Sequence, residues 1–164
     1  MKIKCEKTNF LKGLQTVAKA VSAKNTIYAL SGILMTVKGQ EMIFRATDID
    51  IAIEYRDSDI TVVEEGSLII PGRYILEIAK KLPEGEIELS SEGYTFNIRY
   101  GSSEITVNGL DKEEFPDFPM VEGDVAGIFS LYRFEQDIKE VAVAASADES
   151  RPLFTGVLFE IDGQ

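Results

Sequence analysis

The residues best suited by type and spacing to do chemistry are three carboxylates in the stretch ATDIDIAIEY, residues 46–55. Asp48, Asp50 and Glu54 alternate with Ile49, Ile51 and Ile53. Read as a strand, that alternation puts the carboxylates on one face and the isoleucines on the other. Carboxylate oxygens are the donors that Mg²⁺ takes, and the chemistry would be metal-assisted hydrolysis. Strand geometry weighs against it, because residues i and i+2 lie roughly 7 Å apart. That is too far to share one ion directly through ordinary rotamers, so a solvated acidic strand face is the simpler expectation. The rest of the inventory excludes more than it offers. There is no histidine and one cysteine, Cys5. The usual general base, the Ser-His-Asp triad and the common zinc sites are therefore missing. No G-x-x-x-x-G-K-[ST] loop occurs, which removes the Walker type of nucleotide site. No metal or other cofactor is expected.

Charge is more informative than nucleophiles. The chain carries 17 basic and 28 acidic side chains, a net −11. Basic residues are nevertheless concentrated in two segments. Residues 2–24 hold Lys2, Lys4, Lys7, Lys12, Lys19 and Lys24 against Glu6 alone, and residues 72–81 hold Arg73, Lys80 and Lys81 against Glu77. A positive face on an acidic body can localise a polyanion without general stickiness.

Both basic segments read as helices. From Thr8, a candidate N-cap, the pattern NFLKGLQTVAKAV puts Phe10, Leu14, Val17 and Val21 on one face. Lys12, Gln15, Thr16 and Lys19 fall on the opposite face at 100° per residue. Gly13 weakens this helix. A second helix runs between Pro71 and Pro83, with Ile75, Ile78, Ala79 and Leu82 on its apolar side. Most other segments alternate with period two: GILMTVK, EMIFRA, DIDIAIEY, ITVV, SLIIP, EIELS, YTFNIRY and EITVNGL. Their order, β-α-β-β-β-β-α-β-β-β, lacks the βαβ alternation of parallel sheets, so the fold class is α+β with antiparallel sheets. An alternating IKC start places Cys5 inside a strand. Residues 110–127, LDKEEFPDFPMVEGDVAG, read as a connector from their prolines, glycines and acids. Beyond it, IFSLYRFEQDIKEVAVAAS predicts a strand and a helix, and PLFTGVLFEI another strand.

Those last elements repeat the first ones. GVLFEIDGQ (156–164) aligns with GILMTVKGQ (32–40), and at the same offset Phe134 falls on Phe10, Ile138 on Leu14, Val141 on Val17 and Ala142 on Ala18. A fixed offset of 124 without a gap across a helix, a turn and a strand marks a duplicated unit. Residues 1–122 are expected to form one complete domain, 123–127 the connector, and 128–164 the truncated start of a second. That partial copy is not expected to bury its helix face alone. No apolar run reaches the ~20 residues of a membrane span, and the start, MKIKCEKTNF, is not a signal peptide, so a cytoplasmic protein without a membrane partner is expected.

As a set, ATDIDIAI, PGRYILEIAKKLP, LDKEEFPDFP and SRPLFTGVLFE resemble the bacterial DNA polymerase III β sliding-clamp family over the whole chain. The resemblance implies a DNA-clamp fold with two helices on the inner face of each domain. It implies a non-enzymatic processivity factor that closes head-to-tail as a homodimer around double-stranded DNA without reading sequence. It implies partners too, the replicative polymerase and the clamp loader. Residue by residue, Lys24, Arg73 and Arg151 match basic DNA-contacting positions, beside Lys12 and Lys19 from the helical face. Phe154 matches an apolar position of the partner pocket, most of which would lie beyond Gln164. Tyr74, Ile78, Ile105 and Val107 match the surface that meets the other subunit. The residues alone leave open a freestanding β-rich protein-binding module without a DNA role.

Overall fold

In the computed structural model, residues 1–22, 27–119, 128, 130–148 and 150–160 are described. The chain divides into two units, Met1–Pro119 and Met120–Gln164.

The first unit runs β1 (Lys2–Glu6), α1 (Lys7–Val17), β2 (Gly32–Lys38), β3 (Glu41–Thr47), β4 (Ala52–Asp57), β5 (Ile60–Glu64), β6 (Gly66–Pro71), α2 (Gly72–Lys81), β7 (Glu86–Glu92), β8 (Thr95–Tyr100) and β9 (Ser103–Asn108). Short 3-10 turns lie at Ala18–Ala20 and Tyr28–Ser31. The strands form two antiparallel sheets, ordered β5-β1-β7-β8-β9 and β4-β3-β2-β6. Alternation decides what each strand buries. In β1, Ile3 and Cys5 face inward while Lys2 and Lys4 face solvent. Ile87, Leu89, Phe96 and Ile98 of the larger sheet meet Met35, Met42, Phe44 and Ile70 of the smaller one in a single core. Phe10, Leu14 and Val17 of α1 and Ile75 and Ala79 of α2 enter the same core. Phe10 is its hub, with ring centroids 5.9 Å from Phe44 and 6.5 Å from Phe96. Gly39 turns the β2–β3 hairpin at φ +60°, a conformation that suits a residue without a Cβ.

A smaller cluster sits around Ala29, Leu34 and Ile69. Phe115 is buried in it, and Leu110 and Phe118 pack beside it. Leu110 also bridges to Ile69, with N–H···O distances of 2.9 and 3.1 Å. The proline-rich stretch that the sequence marks as a connector is thus, over 110–119, a strap packed on the first unit.

Several expectations change. DIDIAIEY is not one strand, because β4 begins only at Ala52. Before it, the Asp48 carboxylate accepts the N–H groups of Asp50 (3.1 Å) and Ile51 (2.8 Å), closing an Asx turn. Ile49 sits inside that turn at φ +89°. Asp48, Asp50 and Glu54 therefore share no strand face, and no metal-binding cluster of three such groups occurs among the described residues. Glu54 instead bridges Arg45 (2.6 Å) and Arg56 (2.7 Å). Thr8 is not the N-cap either. The chain passes from β1 straight into α1 at Lys7. Lys7 N–H donates to the Gly85 carbonyl at 2.9 Å, and its ammonium, nearly buried, meets Glu84 at 2.6 Å.

In the second unit, α3 spans Leu131–Ala142 and buries none of its residues. Its Phe134 ring stacks on Phe159 with centroids 5.8 Å apart. These are the offset equivalents of Phe10 and Met35, which share the first unit's core. The strands expected around 128–130 and 152–161 are absent among the described residues there; Pro152–Phe154 forms a 3-10 turn and 157–160 has no regular structure. A strand needs a neighbour for its hydrogen bonds, and local alternation cannot supply one.

Candidate nucleic-acid interface

α1 and α2 pack side by side, and each buries one face in the common core. Their remaining faces turn away from it. Lys12, Lys19, Arg73, Lys80 and Lys81 are all exposed there, against Glu77 as the one carboxylate. Lys80 pairs with Glu77 at 2.8 Å. That hydrogen bond holds the Glu77 carboxyl below its ordinary range. Lys12 Nζ lies 6.0 Å from the centre of the Tyr55 ring, a cation–π contact that steadies the side chain without neutralising it. The arrangement offers dispersed cations on a rigid layer. Cations dispersed in this way suit contacts to phosphates, which carry no sequence information.

Half of the first basic segment lies elsewhere. Lys2 and Lys4 stand on the outer face of the larger sheet, paired with Glu88 (3.1 Å) and Glu86 (3.4 Å), and Lys7 is paired with Glu84. Their charge is answered by β7 and the turn before it. Linear charge density in the sequence could not separate these three lysines from Lys12 and Lys19; the period-two pattern of residues 2–6 is the signal that could have set Lys2 and Lys4 apart, while Lys7, the first residue of α1, has no such signal.

Lys24 lies outside the described residues. Arg151 is exposed in the second unit, beside the Pro152–Phe154 turn, and Phe154 there is 61% exposed. Tyr74 and Ile78 lie on α2, the first exposed and the second half-buried. Ile105 and Val107 are half-buried on β9, the edge of the larger sheet.

A profile for the DNA polymerase III beta subunit, N-terminal domain, matches residues 1–119. The chain belongs to the DNA polymerase III beta subunit family. It is 35% identical to the beta sliding clamp of Halalkalibacterium halodurans over 93% of its own length and 42% of the relative's. Against the Bacillus subtilis beta sliding clamp it is 33% identical over 99% of the chain and 45% of the relative. The crystal structure of the Bacillus subtilis DNA polymerase sliding clamp superimposes with a TM-score of 0.86 at 31% identity, covering 93% of this chain and 42% of that one. The fold is that of sliding clamps, α+β with antiparallel sheets, as the resemblance implies. The chain spans less than half the length of the curated relatives it matches.

Proposed function

We propose that this chain is the N-terminal portion of a sliding clamp, a processivity factor that encircles duplex DNA and tethers the replicative polymerase. The observation that carries the proposal is the cationic layer on α1 and α2. In a chain of net −11, five exposed cations meet one carboxylate on the two helices. Weak phosphate contacts of this kind let a protein slide, and enclosure rather than affinity would keep it on DNA. Lys12, Lys19 and Arg73 make these contacts, joined by Lys24 and, on the second domain, Arg151. The function is accessory and involves no catalytic step of its own.

The domain reading follows the same logic. Residues 1–122 are assigned to the first clamp domain and 123–127 to the connector, with 120–127 lying outside the described residues. Residues 128–164 open the second domain, whose α3 face, with Leu131, Phe134 and Val141, would be covered by sheets contributed from further along the complete protein. Phe154 joins a pocket for short segments of polymerase and clamp-loader proteins. Tyr74, Ile78, Ile105 and Val107 form the subunit contact of a head-to-tail homodimer. The outer edge of β9, which pairs with no further strand among the described residues, supports this, since an unpaired edge is a template for a partner strand.

The test is primer extension by the cognate polymerase with the complete protein carrying Lys12→Glu and Lys19→Glu together. Shortened products with an intact fold are expected. Product lengths equal to wild type would remove the DNA role and favour a protein-binding module.

A further inference from the structure

A groove of about 500 Å³ opens where the end of α1's 3-10 extension meets the start of α2. Val21, Tyr28, Pro71, Arg73, Tyr74 and Leu76 are among the side chains lining it. Its base is built tightly. Ser22 N–H donates to the Leu30 carbonyl at 3.0 Å, tying the Tyr28–Ser31 turn to the end of the first helix. A Cβ on Gly72 would stand 3.1 Å from the Ser31 carbonyl oxygen and from both Val21 methyls, so α2 starts against both. Above this base, Tyr28 is 66% and Tyr74 70% exposed. Large aromatic side chains left in water beside an apolar groove are an exception that asks for a ligand.

The chemistry around the groove narrows the ligand. Of the ten described residues lining it, one is a cation, Arg73, and none is a carboxylate, although acidic groups outnumber basic ones 28 to 17 in the chain. The first turn of α2, which opens onto the groove, also contains no acidic residue. A helix start of that kind favours negative charge. The groove is continuous, through Arg73, with the cationic layer of α1 and α2. Exposed aromatic rings beside a cation, on a surface for phosphates, match the requirements of an unpaired nucleotide: a ring face for the base and a positive group for the phosphate.

We propose that this groove binds single-stranded nucleic acid, with a base stacked on Tyr28 and its phosphate held by Arg73. Resting on the duplex-facing role proposed above, it gives the protein a second contact where a duplex ends in a single-stranded extension. Tyr74 edges the groove but is also part of the proposed subunit contact, so Tyr28 carries the test.

The measurement is fluorescence anisotropy at low salt with the complete protein and two probes, an oligo-dT of roughly 15 nucleotides and a blunt DNA hairpin duplex. Tyr28→Ala should weaken oligo-dT binding roughly five- to hundred-fold, the range of one lost base stack, while leaving hairpin binding unchanged. Tyr28→Phe, which keeps the ring, should restore it. Lys12→Glu with Lys19→Glu should weaken the hairpin. No oligo-dT binding by the unmodified protein, or equal affinity in Tyr28→Ala, overturns the groove proposal. So does a poly-glutamate peptide that displaces oligo-dT at lower concentration than unlabelled oligo-dT, which would assign the groove to acidic peptides. Hairpin binding that ignores the lysine changes would instead refute the duplex role, with the Tyr28 comparison still judging the groove.

Discussion

Gly13→Ala should destabilise the first unit, although helix propensity alone points the other way. In an open helix the change would stabilise by about 0.8–1 kcal/mol. Here Gly13 is buried against the sheet. An added Cβ would sit 2.5 Å from both Cδ2 and Cε2 of Phe44 and 3.1 Å from Cδ1 of Tyr55. Carbon pairs are best separated by about 3.5–4.0 Å, so two contacts are at least about 1 Å too short. Phe44 cannot swing aside, because it is fully buried with its ring packed on Phe10. Overpacking costs about 1–3 kcal/mol, and a confined ring puts this site near the upper end. After the propensity gain, the net loss should be about 2 kcal/mol. Urea unfolding followed by circular dichroism reads this directly, with the exposed Gln15→Ala on the same helix as a control expected within about 0.5 kcal/mol of wild type. Phe44→Leu should make room for the methyl group. The double variant should then cost at least about 1 kcal/mol less than the two single changes together. A Gly13→Ala chain as stable as wild type, or strict additivity with Phe44→Leu, would refute the packing argument.

Glu54 gives a pH signature. Burial alone would raise its carboxyl, but hydrogen bonds from Arg56 and Arg45 hold it below the ordinary range. A lowered folded pKa contributes stability that is present above the unfolded value, about 4.3, and is lost as pH falls through the folded value. Melting temperature should therefore fall less steeply below about pH 4.5 in Glu54→Gln than in wild type; parallel curves would show the bridge to be inert. Cys5, whose thiol is pushed up to about 12 by burial first and by Asp57, Glu6 and Glu86 after it, should react with a disulfide reagent at pH 8 only as fast as the unit opens. Rapid labelling of the folded chain would contradict the central place of β1. Phe115→Ala should cost about 3 kcal/mol and speed hydrogen exchange at Leu110, whose N–H donates to the Ile69 carbonyl at 2.9 Å. Unchanged exchange there would mean that Phe115 does not hold the strap.

Much of the molecule was decided locally and could be read from the chain. β2 has the bounds of GILMTVK, since its alternation, hairpin glycine and flanks all agree. The apolar stripe Phe10-Leu14-Val17 is buried as its period requires, and the lysines opposite are exposed. The duplicated pattern named the second unit's helix. Other features depended on what the chain meets in space. Asp48 and Asp50 continue a strand pattern, yet a short carboxylate that can bond the next N–H groups makes a turn instead, and no period records that competition. Gly13 looked like a weak point in a helix, but its missing Cβ is what lets α1 lie on Phe44. Lys2, Lys4 and Lys7 counted towards a basic segment until residues some eighty positions away answered their charge. The groove beside Tyr28 has no sequence signal at all, because it exists only where the ends of two helices and a turn converge. Periodicity and composition act within a few residues and are written in the sequence. Ion pairing, close approach and concavity are properties of pairs distant along the chain, and only the tertiary structure decides them.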